Sequence, residues 1–344
     1  MLEHWFKESK LTNNLNNLIE LYNDVDLSNI HYCITDKEAK LSKKQGIKKV
    51  LKLLDKDNIY TAINNLINDE FKILENILDN NGIIEVDDNI VIGKYLLLRN
   101  RGIYYFIKDN DKYYVIIPDQ ILQIIKKFDL EELRNQIQKN TRLYDLAISM
   151  INLYGVCTFE NYVLNCMDYL KYEDAREINI LSIVDNGRFN PIIVYNLDGV
   201  ECMTFDSDLD FDYSFLSDKL NNLNLFEIAI KDVPLQEVLK YKDPFYHEDI
   251  KEIKEFKKYF LDKGYNEDNI NELTEELVNL IRKNYQEAIL FLEETFRDHD
   301  IDLKEENIDD ILMLISKIYN NIPIWGNNGW TNKELILNKS MEDS

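Results

Sequence analysis

Histidine, cysteine, glycine and proline are all scarce in this 344-residue chain, with four His, four Cys, ten Gly and five Pro. Each shortage closes off a chemistry. Cys33, Cys157, Cys166 and Cys202 form no C-x-x-C pair, and most have apolar or aromatic neighbours, so they read as buried free thiols. His4, His31, His247 and His299 form no H-x-x-x-H or H-E-x-x-H set, which argues against zinc of the metalloprotease type. His31 and Cys33 stand two apart around Tyr32, in an expected short strand or turn, and that spacing alone is a weak metal signal. The glycines supply no G-x-x-x-x-G-K-[ST], no G-x-G-x-x-G and no G-x-S-x-G, so phosphate cradles and a nucleophile elbow are unsupported. No cofactor and no metal are expected.

Long apolar runs are missing too. No stretch of about 18 apolar residues occurs, so no membrane span is expected. Met1-Leu2-Glu3-His4-Trp5-Phe6 lacks a basic stretch followed by an apolar one, so no signal peptide is read there and a cytoplasmic location is expected. Alanine occurs six times against 40 asparagines, the mark of AT-rich coding. That composition points to a low-GC bacterium, its phage, or an AT-rich eukaryote. Asparagine clusters such as Asn13-Asn14 and Asn221-Asn222 are then compositional.

What is present is acid and apolar surface. Asp and Glu number 63 against 40 Lys and Arg, for a net charge of -23, and 45% of residues are hydrophobic. That is enough to pack a core and argues against a disordered acidic chain. Phosphates repel an acidic surface, so bulk binding to nucleic-acid backbones is disfavoured.

Periodicity divides the chain into three blocks, and the expected fold class is α+β, mostly helical. Over 1–140, helical spacing covers Leu11 to Tyr22, Lys43 to Leu54, Ile59 to Ile67 and Glu70 to Leu78, with Gly82 as a stop. Strands are expected at Ile83-Ile84, Ile90 to Ile92, Ile103 to Ile107 and Tyr113 to Ile117, the last two joined by Asp109-Asn110-Asp111. Pro118 then opens a helix from Asp119 to Phe128. Over 141–244 the order repeats: a helix from Leu143 to Leu153, a turn at Tyr154-Gly155-Val156, and a helix from Phe159 to Leu170 capped by Thr158. Strands follow at Ile178 to Val184, Pro191 to Tyr195 and Val200 to Phe205, with turns at Asn186-Gly187 and Asp198-Gly199. Helices followed by a hairpin make two winged-helix-like modules. Over 245–344, amphipathic stripes from Asp249 to Leu261, Leu273 to Phe296 and Ile308 to Tyr319 predict a helical bundle.

Candidate chemistry is sparse. Asp206 to Asp212 resembles the start of a calcium loop, but Phe211 and Ser217 stand where Gly and Glu are required, so an acidic loop is the better reading. Carboxylates are too numerous for any pair to be singled out as acid and base, and no catalytic residue is assigned. Lys44, Lys48 and Lys52 are four apart and share a helical face, a contact for a phosphate or an acidic partner. The helices that would read DNA in a winged helix, Glu70 to Leu78 and Phe159 to Leu170, carry Lys72 alone and no basic residue, respectively.

The segment from Asn320 to Leu335 carries Pro323, Trp325, Asn327, Gly329, Thr331, Glu334 and Leu335 in a pattern close to N-x-x-P-x-W-x-N-x-G-x-T-P-x-E-L. It resembles a segment of SEC-C-associated bacterial proteins, many from low-GC Gram-positives. Leu153 to Val156 resembles the middle of such proteins. The likeness covers about a third of the chain. Asn332 replaces the second proline, and no cysteine follows Cys202, so the zinc-binding tail is missing and metal binding is not carried over. Physically, Trp325 and Trp330 can pack on the bundle, Asn327 and Gly329 make the turn, and Thr331 with Glu334 has capping-box spacing. A structural lock and a partner-binding turn are the two readings. The expected function is a non-enzymatic cytoplasmic protein-interaction or adaptor protein with a protein partner, of phage or mobile-element origin. The alternative is a regulator of nucleic-acid transactions, by direct contact through the lysine face or as an acidic DNA mimic.

Overall fold

The computed structural model describes residues 4–87, 89–170, 192–197, 200–205, 228–303 and 306–342. The expected strands at Ile178 to Val184, the turns at Asn186-Gly187 and Asp198-Gly199, and the acidic run from Asp206 lie outside these residues. The described part is α+β and mostly helical. It forms two compact units, and the division falls inside one long helix, between Tyr144 and Asp145.

The first unit holds β1 (Lys7–Glu8), α1 (Leu15–Ile19), α2 (Asp24–Thr35), α3 (Lys43–Leu53), α4 (Lys56–Asn64), α5 (Asn68–Asp79), β2 (Ile83–Val86), α6 (Gly93–Arg99), β3 (Tyr105–Asp109), β4 (Lys112–Ile116), α7 (Asp119–Ile125) and the start of α8 (Leu130–Tyr154). Its sheet runs β1-β3-β4-β2, with β1 parallel to β3 and the other pairs antiparallel. The β3–β4 hairpin turns at Asn110, whose φ of 54° is a conformation that asparagine tolerates. Gly82 ends α5 with its N–H on the Ile77 carbonyl at 2.8 Å. A Cβ there would lie 2.9 Å from the Ile117 oxygen, so the close return of the chain requires glycine. Leu18, Ile19, Leu74, Phe106, Val115 and Ile125 are among the residues that fill the core. Arg99 is set into it, 5.1 Å from the Trp5 ring and 5.7 Å from the Phe106 ring, with Asp26 at 3.6 Å as its counter-ion.

Three local expectations change here. His31 and Cys33 stand on α2 rather than in a strand or turn, because Asn23 caps that helix by accepting from the Asp26 N–H at 2.9 Å and Asp26 reciprocates. Ile90 to Ile92 is not a strand; it leads into α6, and Ile90 and Ile92 pack on the core beside it. The helix expected from Leu11 to Tyr22 is confined to Leu15–Ile19.

The second unit holds the rest of α8, β5 (Cys157–Thr158), α9 (Phe159–Leu170), β6 (Ile192–Leu197), β7 (Val200–Phe205), α10 (Leu235–Val238), α11 (Lys251–Leu261), α12 (Glu267–Lys283), α13 (Tyr285–Leu290), α14 (Leu292–Asp298), α15 (Ile308–Asn321) and α16 (Asn332–Glu342). Its sheet runs β5-β7-β6, all antiparallel. Phe256, Phe260 and Phe296 meet edge to face in the helical core, with Leu277 and Ile315 around them. The stripe from Leu273 to Phe296 is three helices rather than one. Asn284 breaks it: its backbone is extended (φ -156°, ψ 105°), and its side chain caps the next helix by accepting from the Gln286 and Glu287 N–H groups.

Candidate functional site

The lysine face is built by α3. Ser42 opens the helix, hydrogen-bonded to the Gln45 side chain at 3.1 Å through its hydroxyl. Gly46 lies against α2, where a Cβ would come within 2.7 Å of the Leu27 Cβ, and this lets the two helices cross closely. Gly46 and Val50 are buried, so Lys44, Lys48 and Lys52 project from the opposite, exposed side. Lys43 leaves this ridge and donates to the Glu20 carbonyl at 2.6 Å. Elsewhere lysines meet carboxylates: Lys7 meets Asp26 at 3.2 Å, Lys94 meets Asp69 at 3.0 Å and Lys242 meets Asp145 at 2.7 Å. Among the described residues, Lys44, Lys48 and Lys52 have no carboxylate within ion-pair distance.

The tryptophan turn is the opposite kind of place. Trp325 begins a short 3-10 turn and is buried, and its Nε1–H donates to the Asn152 carbonyl of α8 at 2.9 Å. Trp330 donates to the Ala229 carbonyl at 2.9 Å. Between them, Asn328 adopts a left-handed conformation (φ 51°) and donates its side-chain amide to the Ile228 carbonyl at 2.7 Å, while its own carbonyl accepts from the Lys231 N–H at 3.1 Å. Gly329 has a φ of +83°, and a Cβ there would be 2.7 Å from the Tyr154 ring. The Tyr154 hydroxyl donates to the Lys231 carbonyl at 3.0 Å. Asn327 donates to the Asn332 side chain at 2.8 Å. The turn therefore binds the segment 228–231 to the end of α8.

Thr331 and Glu334 form the capping box of α16. The Thr331 N–H donates to the Glu334 carboxylate at 2.9 Å, and the Glu334 N–H donates to the Thr331 hydroxyl at 3.1 Å. Lys231 reaches the same carboxylate at 2.7 Å and lies 5.4 Å from the Trp330 ring centre. Burial acts to raise the Glu334 carboxyl, but the Lys231 ammonium and the Thr331 N–H outweigh it and hold the group below the usual carboxylate range.

A buried polar cluster continues from the turn. Asn152, whose carbonyl receives Trp325, donates its side-chain amide to the Tyr241 carbonyl at 2.7 Å. The Tyr241 hydroxyl donates to Glu248, and Arg282 lies 5.0 Å from the Tyr241 ring and donates to the Tyr246 carbonyl at 3.1 Å. Burial, with the Glu248 charge second, pushes the Tyr241 hydroxyl far above its ordinary value, so it stays a donor. No spacing in the sequence marks Asn152 or Arg282. Asn152 acts through contacts 89 and 173 positions away, with Tyr241 and Trp325, and Arg282 through one 36 positions away, with Tyr246.

The thiols are placed for packing. Cys157 and Cys166 are buried and Cys33 is half-buried. Burial pushes the Cys166 thiol up to about 12, against a hydrogen bond with Tyr162 that pulls it down, so it is a poor nucleophile. Among the described residues, no group of three His, Cys, Asp or Glu side chains is placed to hold a metal ion, and no helix is long and apolar enough to cross a membrane. Comparison of the chain with protein-family models, with curated proteins and with solved structures finds no match.

Proposed function

We propose that this chain is a non-enzymatic cytoplasmic interaction or adaptor protein from a bacterial phage or mobile element. Two winged-helix-like modules present its surfaces, and the helical C-terminal domain completes them. The observation that carries the reading is the α3 face: three exposed lysines in a chain of net charge -23, none paired with a carboxylate among the described residues. The β5-β7-β6 order supports the winged-helix reading of the second module, because the strand before α9 pairs with the far strand of the hairpin. The likeness of Asn320 to Leu335 to SEC-C-associated proteins supports a low-GC bacterial source. As a structural lock, the tryptophan turn would hold the scaffold, leaving partner contact to exposed faces.

The test is affinity purification of the full chain, followed by reconstitution of the recovered protein with purified chain. A stoichiometric complex is expected. Turnover of a substrate by the purified chain, or reconstitution failing for every recovered protein, would reject the reading.

A second reading has its own observation. Residues 1–144 hold 21 Lys+Arg and 22 Asp+Glu, a net of -1, whereas residues 145–344 hold 19 and 41, a net of -22. So uneven a distribution favours an acidic mimic that occupies a basic, DNA-binding surface of another protein. Competition by duplex DNA for the reconstituted partner would support mimicry, and indifference to DNA would remove it.

A further inference from the structure

The lysine face belongs to a longer basic stretch. Residues 37–56 contain eight lysines and only two carboxylates, Glu38 and Asp55. Like charges four residues apart on a helix repel each other, so the ridge of Lys44, Lys48 and Lys52 works against its own helix until an anion lies along it.

We propose that α3 is a docking face for an Asp/Glu-rich segment of a partner protein, which lies along Lys44, Lys48 and Lys52. The proposal rests on the interaction reading and gives the partner its chemistry. The spacing suits it: lysines four apart rise by about 6 Å, the interval between carboxylates at i and i+4 of an acidic helix. The residue types suit it as well. The face has neither an arginine fork for bidentate phosphate contact nor, on α3, an aromatic platform for a base. A duplex spreads a charge about every 1.7 Å along its whole length, whereas an acidic segment carries its charge locally, on the scale of the three-lysine ridge.

The experiment is fluorescence anisotropy on the full chain. One probe is a labelled helical peptide with Glu at i and i+4, and the other is a DNA duplex of equal net charge. The peptide is expected to bind at low salt and to weaken as salt shortens the screening length. Lys44→Glu, Lys48→Glu and Lys52→Glu together should lower its affinity by on the order of tenfold or more, with Gln at the same positions giving a smaller loss. Circular dichroism checks that each variant is folded. Three results would overturn the proposal: no peptide binding, equal binding by the charge-reversed chain, or a duplex that binds more tightly than the peptide. A reconstituted partner that still binds the charge-reversed chain would overturn this docking face while leaving the interaction reading intact.

Discussion

The lysine face and the tryptophan turn use polar groups in opposite ways. On α3 the ammonium groups of Lys44, Lys48 and Lys52 are exposed and meet no carboxylate among the described residues. In the turn, both indole N–H groups, the Asn328 amide and the Tyr154 hydroxyl each find a backbone carbonyl. A polar group satisfied inside the chain contributes to stability, because burying it unpaired is costly. A charge left in water contributes little to stability but remains available to a partner. Stability and recognition are thus assigned to different places, and mutations should separate them.

The sharpest way to break the contrast is Trp325→Ala. It removes a buried indole and its bond to Asn152, and about 3–5 kcal/mol of stability should be lost, measured by urea denaturation. Gly329→Ala comes next: a side chain at φ +83° that also meets Tyr154 should cost about 2–4 kcal/mol in the same measurement. Glu334→Gln weakens the capping box and the Lys231 ion pair, but the carboxylate is partly exposed, so the loss should stay at or below ~1 kcal/mol. The sign of its pH dependence follows from its depressed value. The contribution is present above the unfolded carboxyl value and is lost as pH falls through the lower folded value. Acid unfolding curves of wild type and Glu334→Gln should therefore converge at low pH. The smallest effect belongs to the charge-reversed α3, whose stability should change by no more than about 0.5 kcal/mol. A large loss there would erase the contrast, since it would make the lysines structural.

These differences also explain which features are legible in the sequence alone. Lys44, Lys48 and Lys52 are legible because a helical face depends only on local spacing. Thr331 and Glu334 are legible for the same reason, and the capping box forms as expected. Asn152, Tyr154 and Lys231 were not legible as partners of the turn, because spacing carries no information about which distant segments meet. Helix α2 is the instructive miss. His31-Tyr32-Cys33-Ile34 has the aromatic and β-branched texture of a strand, yet the box between Asn23 and Asp26 starts a helix that runs through it. Local caps outweighed local propensity. Asn284 worked in the other direction, breaking a stripe whose apolar periodicity continues without interruption.

The chain has three tryptophans, and their positions give it a built-in optical assay. Trp5 lies in the first compact unit with the Arg99 guanidinium 5.1 Å from its ring, while Trp325 and Trp330 report on the second. A cation against an indole and a carbonyl at the indole nitrogen are different environments for the excited ring. Replacing Trp5 with Phe, or both distal tryptophans with Phe, would leave emission from one unit at a time. If the two signals give the same denaturation midpoint, the chain melts as one cooperative block; if they separate, each unit has a midpoint of its own.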